Sequence, residues 1–120
     1  MPPGVDIELV EARDTGTETA IMTAAERGLL DDVCGVSPAA RAGWLTRFWT
    51  AKEAVAKAEG TGLGGSPHRF VVEGVEGDRL LVRSRREHRP NRTCWVRTAL
   101  GAAPEPYALA WTDKGETDDP

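Results

Sequence analysis

Residues 37–60 read SPAARAGWLTRFWTAKEAVAKAEG, and the predicted architecture depends on this segment. Ser37 is a favourable N-cap, Pro38 suits the first helical turn and Gly60 suits the end of a helix, so the stretch predicts one long helix. Apolar side chains recur along it at spacings of three and four, which places them on one face. They are Leu45, Phe48, Ala51, Val55 and Ala58. We expect this face to pack against the core.

The polar face of the predicted helix carries Glu53 and Lys57, which are four residues apart and therefore share one side. Near the N-terminus, residues 5–10 alternate between apolar and acidic side chains, a pattern that predicts a strand. Asp6 and Glu8 project from the same side of that strand. If the two polar faces meet, the three carboxylates and the Lys57 ammonium converge. Three carboxylate ligands suit a Mg²⁺ ion that also binds a phosphate, and the ammonium would then lie beside that phosphate.

The same spacings have a simpler interpretation. Asp6 and Glu8 then form the solvated face of an edge strand, and Glu53 and Lys57 form an ordinary surface pair worth a few tenths of a kcal/mol. The spacing alone leaves both interpretations open.

The order of helix and strand signals along the chain predicts an α+β fold, in which one long and one short helix pack on an antiparallel sheet. A capping box at residues 23–26 opens the short helix, which is expected to end before Gly35, and residues 13–19 are predicted to form a turn. Four short strand-like runs follow, beginning at Phe70, Leu80, Cys94 and Tyr107. We expect one domain over residues 1–112 and a disordered acidic tail over residues 113–120.

Composition narrows the classes of function. The 120 residues carry a net charge of -4, so no general attraction to nucleic acid or to an anionic membrane is expected. No apolar run approaches the roughly 18 residues that span a bilayer, and no leader is evident, so we expect a cytoplasmic protein. The 2 cysteines, Cys34 and Cys94, are expected to be reduced.

Two further segments permit two interpretations each. Residues 60–65 read GTGLGG and are first a helix stop, although glycines there would also let backbone amides approach a diphosphate. An arginine cluster follows later in the chain and either binds an acidic partner or a phosphate, or is a solvated loop. Its members are Arg83, Arg85, Arg86, Arg89 and Arg92.

Three segments in order resemble the successive motifs of the 4'-phosphopantetheinyl transferases. They are GVDIE at residues 4–8, TAAE at residues 23–26 and FWTAKEAVAKAEGTGL at residues 48–63. The YALAW run at residues 107–111 also resembles the closing strand of this family. The resemblance spans about half of the chain, and the lysine–glutamate block with the following glycines is its most specific part.

The resemblance implies an enzyme that moves the phosphopantetheine arm of coenzyme A onto a serine hydroxyl of an acyl or peptidyl carrier protein. It implies that Asp6, Glu8 and Glu53 hold Mg²⁺, with Glu53 and Lys57 as the catalytic residues. Glu53 would take the serine proton, directly or through a metal-bound water. Coenzyme A would be bound by Lys57 and Lys52 and by the glycines at 60 and 62.

The sequence departs from the family in one motif. The Ser-x-Ser-His segment that helps to bind the nucleotide is missing, because residues 94–98 read CWVRT. Either further copies of the chain supply other groups, as in a homotrimer, or the chain belongs with an upstream domain of a megasynthase such as a polyketide synthase. The alternative function is a non-catalytic half-domain that binds coenzyme A or a carrier protein and needs a partner half.

Overall fold

The computed structural model describes residues 3–62, 66–86, 89–102, 104–113 and 117–118. Its helices are α1 (Thr15–Ile21), α2 (Ala24–Cys34) and α3 (Pro38–Glu59). A single 3₁₀ turn at Pro67–Arg69 leads into the second strand. The strands are β1 (Val5–Leu9), β2 (Phe70–Glu76), β3 (Arg79–Ser84), β4 (Arg92–Gly101), β5 (Tyr107–Thr112) and β6 (Thr117–Asp118).

The strands form one antiparallel sheet in the order β1-β5-β4-β3-β2, with β6 added beside β4. Strands β2, β3, β4 and β5 follow one another as a meander, and β1 pairs with β5 at one edge of the sheet. In this register Asp6 lies opposite Ala110 and Glu8 lies opposite Ala108. The first strand of the sequence therefore forms an edge of the sheet, and the predicted α+β class is confirmed.

Helix α3 covers one face of the sheet and contacts strands from β1 to β2. Every member of its apolar face has at most 1% of its surface exposed. Ser37 caps the helix by accepting a hydrogen bond from the Ala40 N–H, and Gly60 ends it at a φ of 77°. Because Gly60 has no side chain, this left-handed conformation is not strained. The predicted long helix and its buried face are confirmed.

The segment predicted as a turn is instead helix α1. Asp14 caps it by accepting a hydrogen bond of 2.8 Å from the Thr17 N–H. Glu18 lies on the inner side of α1, where the Arg41 guanidinium binds both of its carboxylate oxygens at 2.8 Å. This contact with α3 stabilises a polar helix that has too few apolar residues to be recognised by periodicity.

Two other predictions concern the cysteines and the tail. Cys34 and Cys94 are both free and buried, as expected for reduced thiols.

In the acidic tail, Thr117–Asp118 pairs with the first residues of β4, while residues 114–116 and 119–120 lie outside the described residues, so the predicted disorder stays a prediction. Within the described part of the chain, no helix has the length and apolar character needed to cross a membrane.

Candidate active site

Strand β1 lies directly against α3, and Gly4 makes this approach possible. A Cβ atom at Gly4 would overlap the carbonyl oxygen of Ala54 and would lie 2.9 Å from the Cβ of Ala58. Only glycine permits such a close approach of two backbones. The close packing turns the polar side of β1 toward α3 and leaves the apolar Val5 and Ile7 more than half exposed.

The inward side of β1 brings Asp6 to Lys57 of α3. The Lys57 Nζ donates a hydrogen bond of 2.6 Å to Asp6 Oδ1. The Asp6 side chain is 5% exposed, whereas the Lys57 side chain is 53% exposed, so the contact joins a buried carboxylate to an ammonium at the surface. The interpretation of Asp6 as part of a solvated edge face is therefore wrong.

Glu8 and Glu53 complete a cluster of like charges around Asp6. Burial raises the pKa of Glu8 to about 7, and the nearby carboxylates of Asp6 and Glu53 contribute to the rise. Burial also raises the pKa of Glu53, with a further contribution from the charge of Asp6. The hydrogen bond to Asp6 raises the pKa of Lys57, to which the charges of Glu53 and Glu8 also contribute. The four residues predicted as catalytic or metal-binding thus act on one another electrostatically.

The carboxylate cluster, defined as Asp6, Glu8 and Glu53, has the chemistry of a Mg²⁺ site. Asp6 Oδ2 is buried and, with Glu8 ionised, has no hydrogen-bond donor among the described residues. Hard carboxylate oxygens are the ligands that Mg²⁺ prefers, and a cation would reduce the repulsion among the three carboxylates. The residues therefore fit the ion. Among the described residues, however, no three acidic, histidine or cysteine side chains are already arranged around one metal position.

The glycine turn after α3 serves first as a helix stop. The N–H of Gly60 donates to the carbonyls of Ala56 and Lys57, and the N–H of Gly62 donates to Ala56 at 3.3 Å. Gly62 has a φ of 65°. Because these amides already hydrogen-bond to the helix, their use for a diphosphate receives no support from the geometry. Residues 63–65 of the predicted loop lie outside the described residues.

Lys52, predicted to bind coenzyme A, is fully buried with Glu26. The Lys52 Nζ lies 2.9 Å from Glu26 Oε2 and donates a hydrogen bond of 2.5 Å to the carbonyl of Ile21. The Glu26 carboxylate also accepts hydrogen bonds from the N–H groups of Thr23 and Val72. Lys52 thus holds α1, α2, α3 and β2 together, and its predicted contact with coenzyme A receives no support here. The capping box identifies Glu26 as a helix-capping residue in the sequence. Its ion pair with Lys52 is evident only in the structure, where both side chains are buried.

The arginine cluster is divided among different partners. Arg83 is paired with Glu73 at 2.7 Å, so it belongs to a contact between β2 and β3. Arg85 and Arg86 instead line a hollow with Arg69, a residue outside the predicted cluster. An isolated arginine before a strand forms no recognisable sequence motif, so the position of Arg69 beside Arg85 and Arg86 is evident only from the tertiary structure.

The structure is a small α+β domain in which a long helix packs on an antiparallel sheet, and the carboxylate cluster and Lys57 lie between that helix and the edge strand. The model of the 4'-phosphopantetheinyl transferase superfamily matches residues 2–112. The chain therefore belongs to this superfamily, and the predicted enzyme class is confirmed. No match was found among curated protein sequences.

Two solved structures share the fold. One is a holo-(acyl-carrier-protein) synthase from Bacillus anthracis str. Ames in complex with CoA (3',5'-ADP), with a TM-score of 0.65, 22% identity and 92% coverage of both chains. The other is the Thermotoga maritima holo-[acyl-carrier-protein] synthase, with a TM-score of 0.62 and 21% identity. That match covers 94% of this chain and 63% of the Thermotoga chain. At such identities the likeness shows the fold alone.

Proposed function

We propose that this chain transfers the 4'-phosphopantetheine arm of coenzyme A to a serine hydroxyl of an acyl or peptidyl carrier protein, with adenosine 3',5'-bisphosphate as the leaving group and Mg²⁺ as cofactor. The observation that carries the proposal is the contact between Lys57 and Asp6 beside Glu8 and Glu53. All four residues stand in the motifs that resemble the transferase family. The B. anthracis structure with CoA (3',5'-ADP) supports coenzyme A as the donor.

The residues have distinct roles in this proposal. Asp6, Glu8 and Glu53 hold Mg²⁺, which supplies charge neutralisation at the diphosphate when it is bound. The Lys57 ammonium, half exposed and anchored at Asp6, binds a phosphate oxygen at the mouth of the cluster. Glu53 accepts the serine proton as the general base.

A partner surface completes the proposal. The nucleotide-binding Ser-x-Ser-His motif is missing from the sequence, so other groups must bind the nucleotide. The outward side chains of β1 give this edge strand an apolar outer face, with Val5 54%, Ile7 59% and Leu9 50% exposed. Such a face suits a second copy of the chain, as in a homotrimer, or an upstream domain of the same megasynthase.

The second candidate is a non-catalytic half-domain that binds coenzyme A or a carrier protein. The missing nucleotide motif favours it, as does the finding that no metal position is already formed among the described side chains. A half-domain would bind coenzyme A weakly and would transfer nothing without its partner half.

The two candidates are separated by variants of the cluster. Glu53→Gln removes the base and Asp6→Ala removes the inner carboxylate, and we expect each to lower the transfer rate by about 10²-fold or more. Glu11→Gln, an exposed change of the same kind, serves as the matched control. Circular dichroism checks that each variant is folded. A wild-type rate in both cluster variants contradicts the enzymatic proposal.

A further inference from the structure

The most buried carboxylate of the cluster already has a cation in contact with it. Among Asp6, Glu8 and Glu53, only Asp6 is buried, and the other two residues are partly exposed. The Lys57 Nζ donates a hydrogen bond of 2.6 Å to Asp6 Oδ1. A dication on the other oxygen, Oδ2, would still share one carboxylate with the ammonium, and the two positive charges would repel each other. Lys57 and a metal ion therefore compete for Asp6.

The Lys57 ammonium can leave Asp6 without disturbing the fold. The Lys57 side chain is 53% exposed, and the contact with Asp6 is the one hydrogen bond that its Nζ makes among the described residues. A lysine ammonium is a compact charge on a flexible stem, so it moves by rotation of side-chain bonds alone. Lys52, the other lysine of α3, is by contrast fully buried and held by Glu26. Only Lys57 is placed to change its partner.

We propose that the Lys57 ammonium occupies Asp6 as a counter-ion until a divalent cation arrives together with coenzyme A, and then moves to a phosphate oxygen of that substrate. This inference rests on the proposed function. It accounts for the arrangement of the cluster, since the described carboxylates are not already gathered around one metal position. It gives Lys57 two successive partners, a carboxylate and a phosphate, and both are anions that an ammonium binds well.

The charges at the cluster favour this exchange. Three ionised carboxylates and one ammonium leave two negative charges, which one divalent cation neutralises. The ammonium on Asp6 is then repelled by the dication, while the diphosphate of coenzyme A supplies new negative charge nearby. Moving from Asp6 to the diphosphate reduces the repulsion and restores a partner. The metal ion and coenzyme A therefore strengthen each other's binding, and by linkage each raises the affinity for the other by the same factor.

The first test is metal binding to the whole chain without coenzyme A or carrier protein. Mn²⁺ is the probe, because it takes the oxygen ligands that suit Mg²⁺ and the free ion is measured by electron paramagnetic resonance. The titration is made at about pH 8, where Glu8, with its pKa of about 7, is ionised. We expect Lys57→Met to lower the Kd for Mn²⁺ by about tenfold, because the competing cation is gone.

Two further variants are the controls for this titration. Lys57→Arg keeps the positive charge, so its Kd for Mn²⁺ should stay near the wild-type value. Arg13→Met removes a cation that pairs with Glu11 rather than with the cluster, and it should change the Kd by less than about twofold. An unchanged Kd in Lys57→Met, or an equal decrease in Arg13→Met, overturns the inference.

The second test repeats the titrations with saturating coenzyme A. We expect coenzyme A to lower the wild-type Kd for Mn²⁺ by about tenfold or more. Because Lys57 is then paired with a phosphate, the difference between Lys57→Met and wild type should shrink to less than about twofold. A difference of the same size with and without coenzyme A would show that Lys57 only repels the ion, and it would overturn the inference. If the Mn²⁺ titrations follow these expectations but wild-type protein transfers nothing, the proposed function fails while the exchange of partners stands.

Discussion

The Lys57 ammonium lies 2.6 Å from Asp6 Oδ1 and thereby joins the last turn of α3 to the edge strand β1. The two residues are 51 positions apart in the sequence. Asp6 is buried and Lys57 half exposed, so the pair marks a boundary between the protein interior and the solvent. Glu8 and Glu53 flank this boundary, and burial, together with the nearby charge of Asp6, raises the pKa of both carboxyl groups.

The Lys57–Asp6 pair predicts a larger effect on transfer than on stability. Lys57→Met removes the proposed phosphate contact, so we expect the transfer rate to fall by about 10²-fold or more. Because the Lys57 side chain is 53% exposed, we expect the free energy of unfolding to fall by only about 1 kcal/mol. Lys57→Arg keeps the charge and should retain part of the activity. Transfer kinetics and urea denaturation measure the two effects, and an unchanged rate in Lys57→Met contradicts the assignment.

Gly4 is predicted to be required for the approach of β1 to α3. Gly4→Ala forces a methyl group against the Ala54 carbonyl, so β1 must move away, and we expect loss of both stability and transfer. Gly28→Ala is the matched control, because nothing lies within 4 Å of a Cβ there and the residue is inside α2. That control should stabilise the protein by about 0.5–1 kcal/mol. Equal thermal midpoints for the two variants would show that the close approach is unimportant.

The buried pair of Lys52 and Glu26 is predicted to be strongly coupled. Lys52→Met leaves the Glu26 charge buried without its cation, so we expect the free energy of unfolding to fall by about 3–5 kcal/mol. Combining it with Glu26→Gln removes that charge and keeps an acceptor for the Val72 N–H. The double variant should therefore lose less stability than the sum of the single variants. Denaturant titrations of all four proteins test this, and strict additivity would disprove the coupling.

The Glu18–Arg41 contact predicts a pH dependence of stability. Hydrogen bonds from Arg41 hold the pKa of Glu18 below its ordinary value of 4.5. The stability that this carboxylate contributes is fully present above the unfolded-state pKa and is lost as the pH falls through the folded-state pKa, below about pH 4.5. We expect wild-type protein to lose more stability than Glu18→Gln between about pH 5 and pH 3. Thermal melts across that range measure the difference, and parallel curves would refute it.

Local signals in the sequence were sufficient for much of the fold. The caps at Ser37 and Thr23 and the spacing of apolar residues predict α2 and α3, because capping and amphipathicity act within a few residues. The alternation in residues 5–10 predicts which side chains share a face of β1. It does not predict that the acidic face is the covered one, because this depends on how closely Gly4 lets the strand approach the helix.

Contacts between distant segments account for what the sequence did not reveal. Helix α1 is polar, and its inner residue Glu18 is stabilised by Arg41 from another helix. Lys52 stands in the motif that suggested a cofactor contact, yet its helical position directs it to Glu26 in the core. Arg69 and Arg85 likewise come together only when β2 pairs with β3. Such pairings are properties of the folded chain rather than of any short segment.

The carboxylate cluster, with Lys57, is proposed to transfer phosphopantetheine in the presence of Mg²⁺. The most direct test is the intact mass of an apo carrier protein after incubation with this chain, coenzyme A and Mg²⁺, with a chelator control. We predict a gain of one phosphopantetheine arm that the chelator abolishes. No gain, from a folded chain and a carrier that an established transferase modifies, would contradict the claim and favour the half-domain that needs a partner.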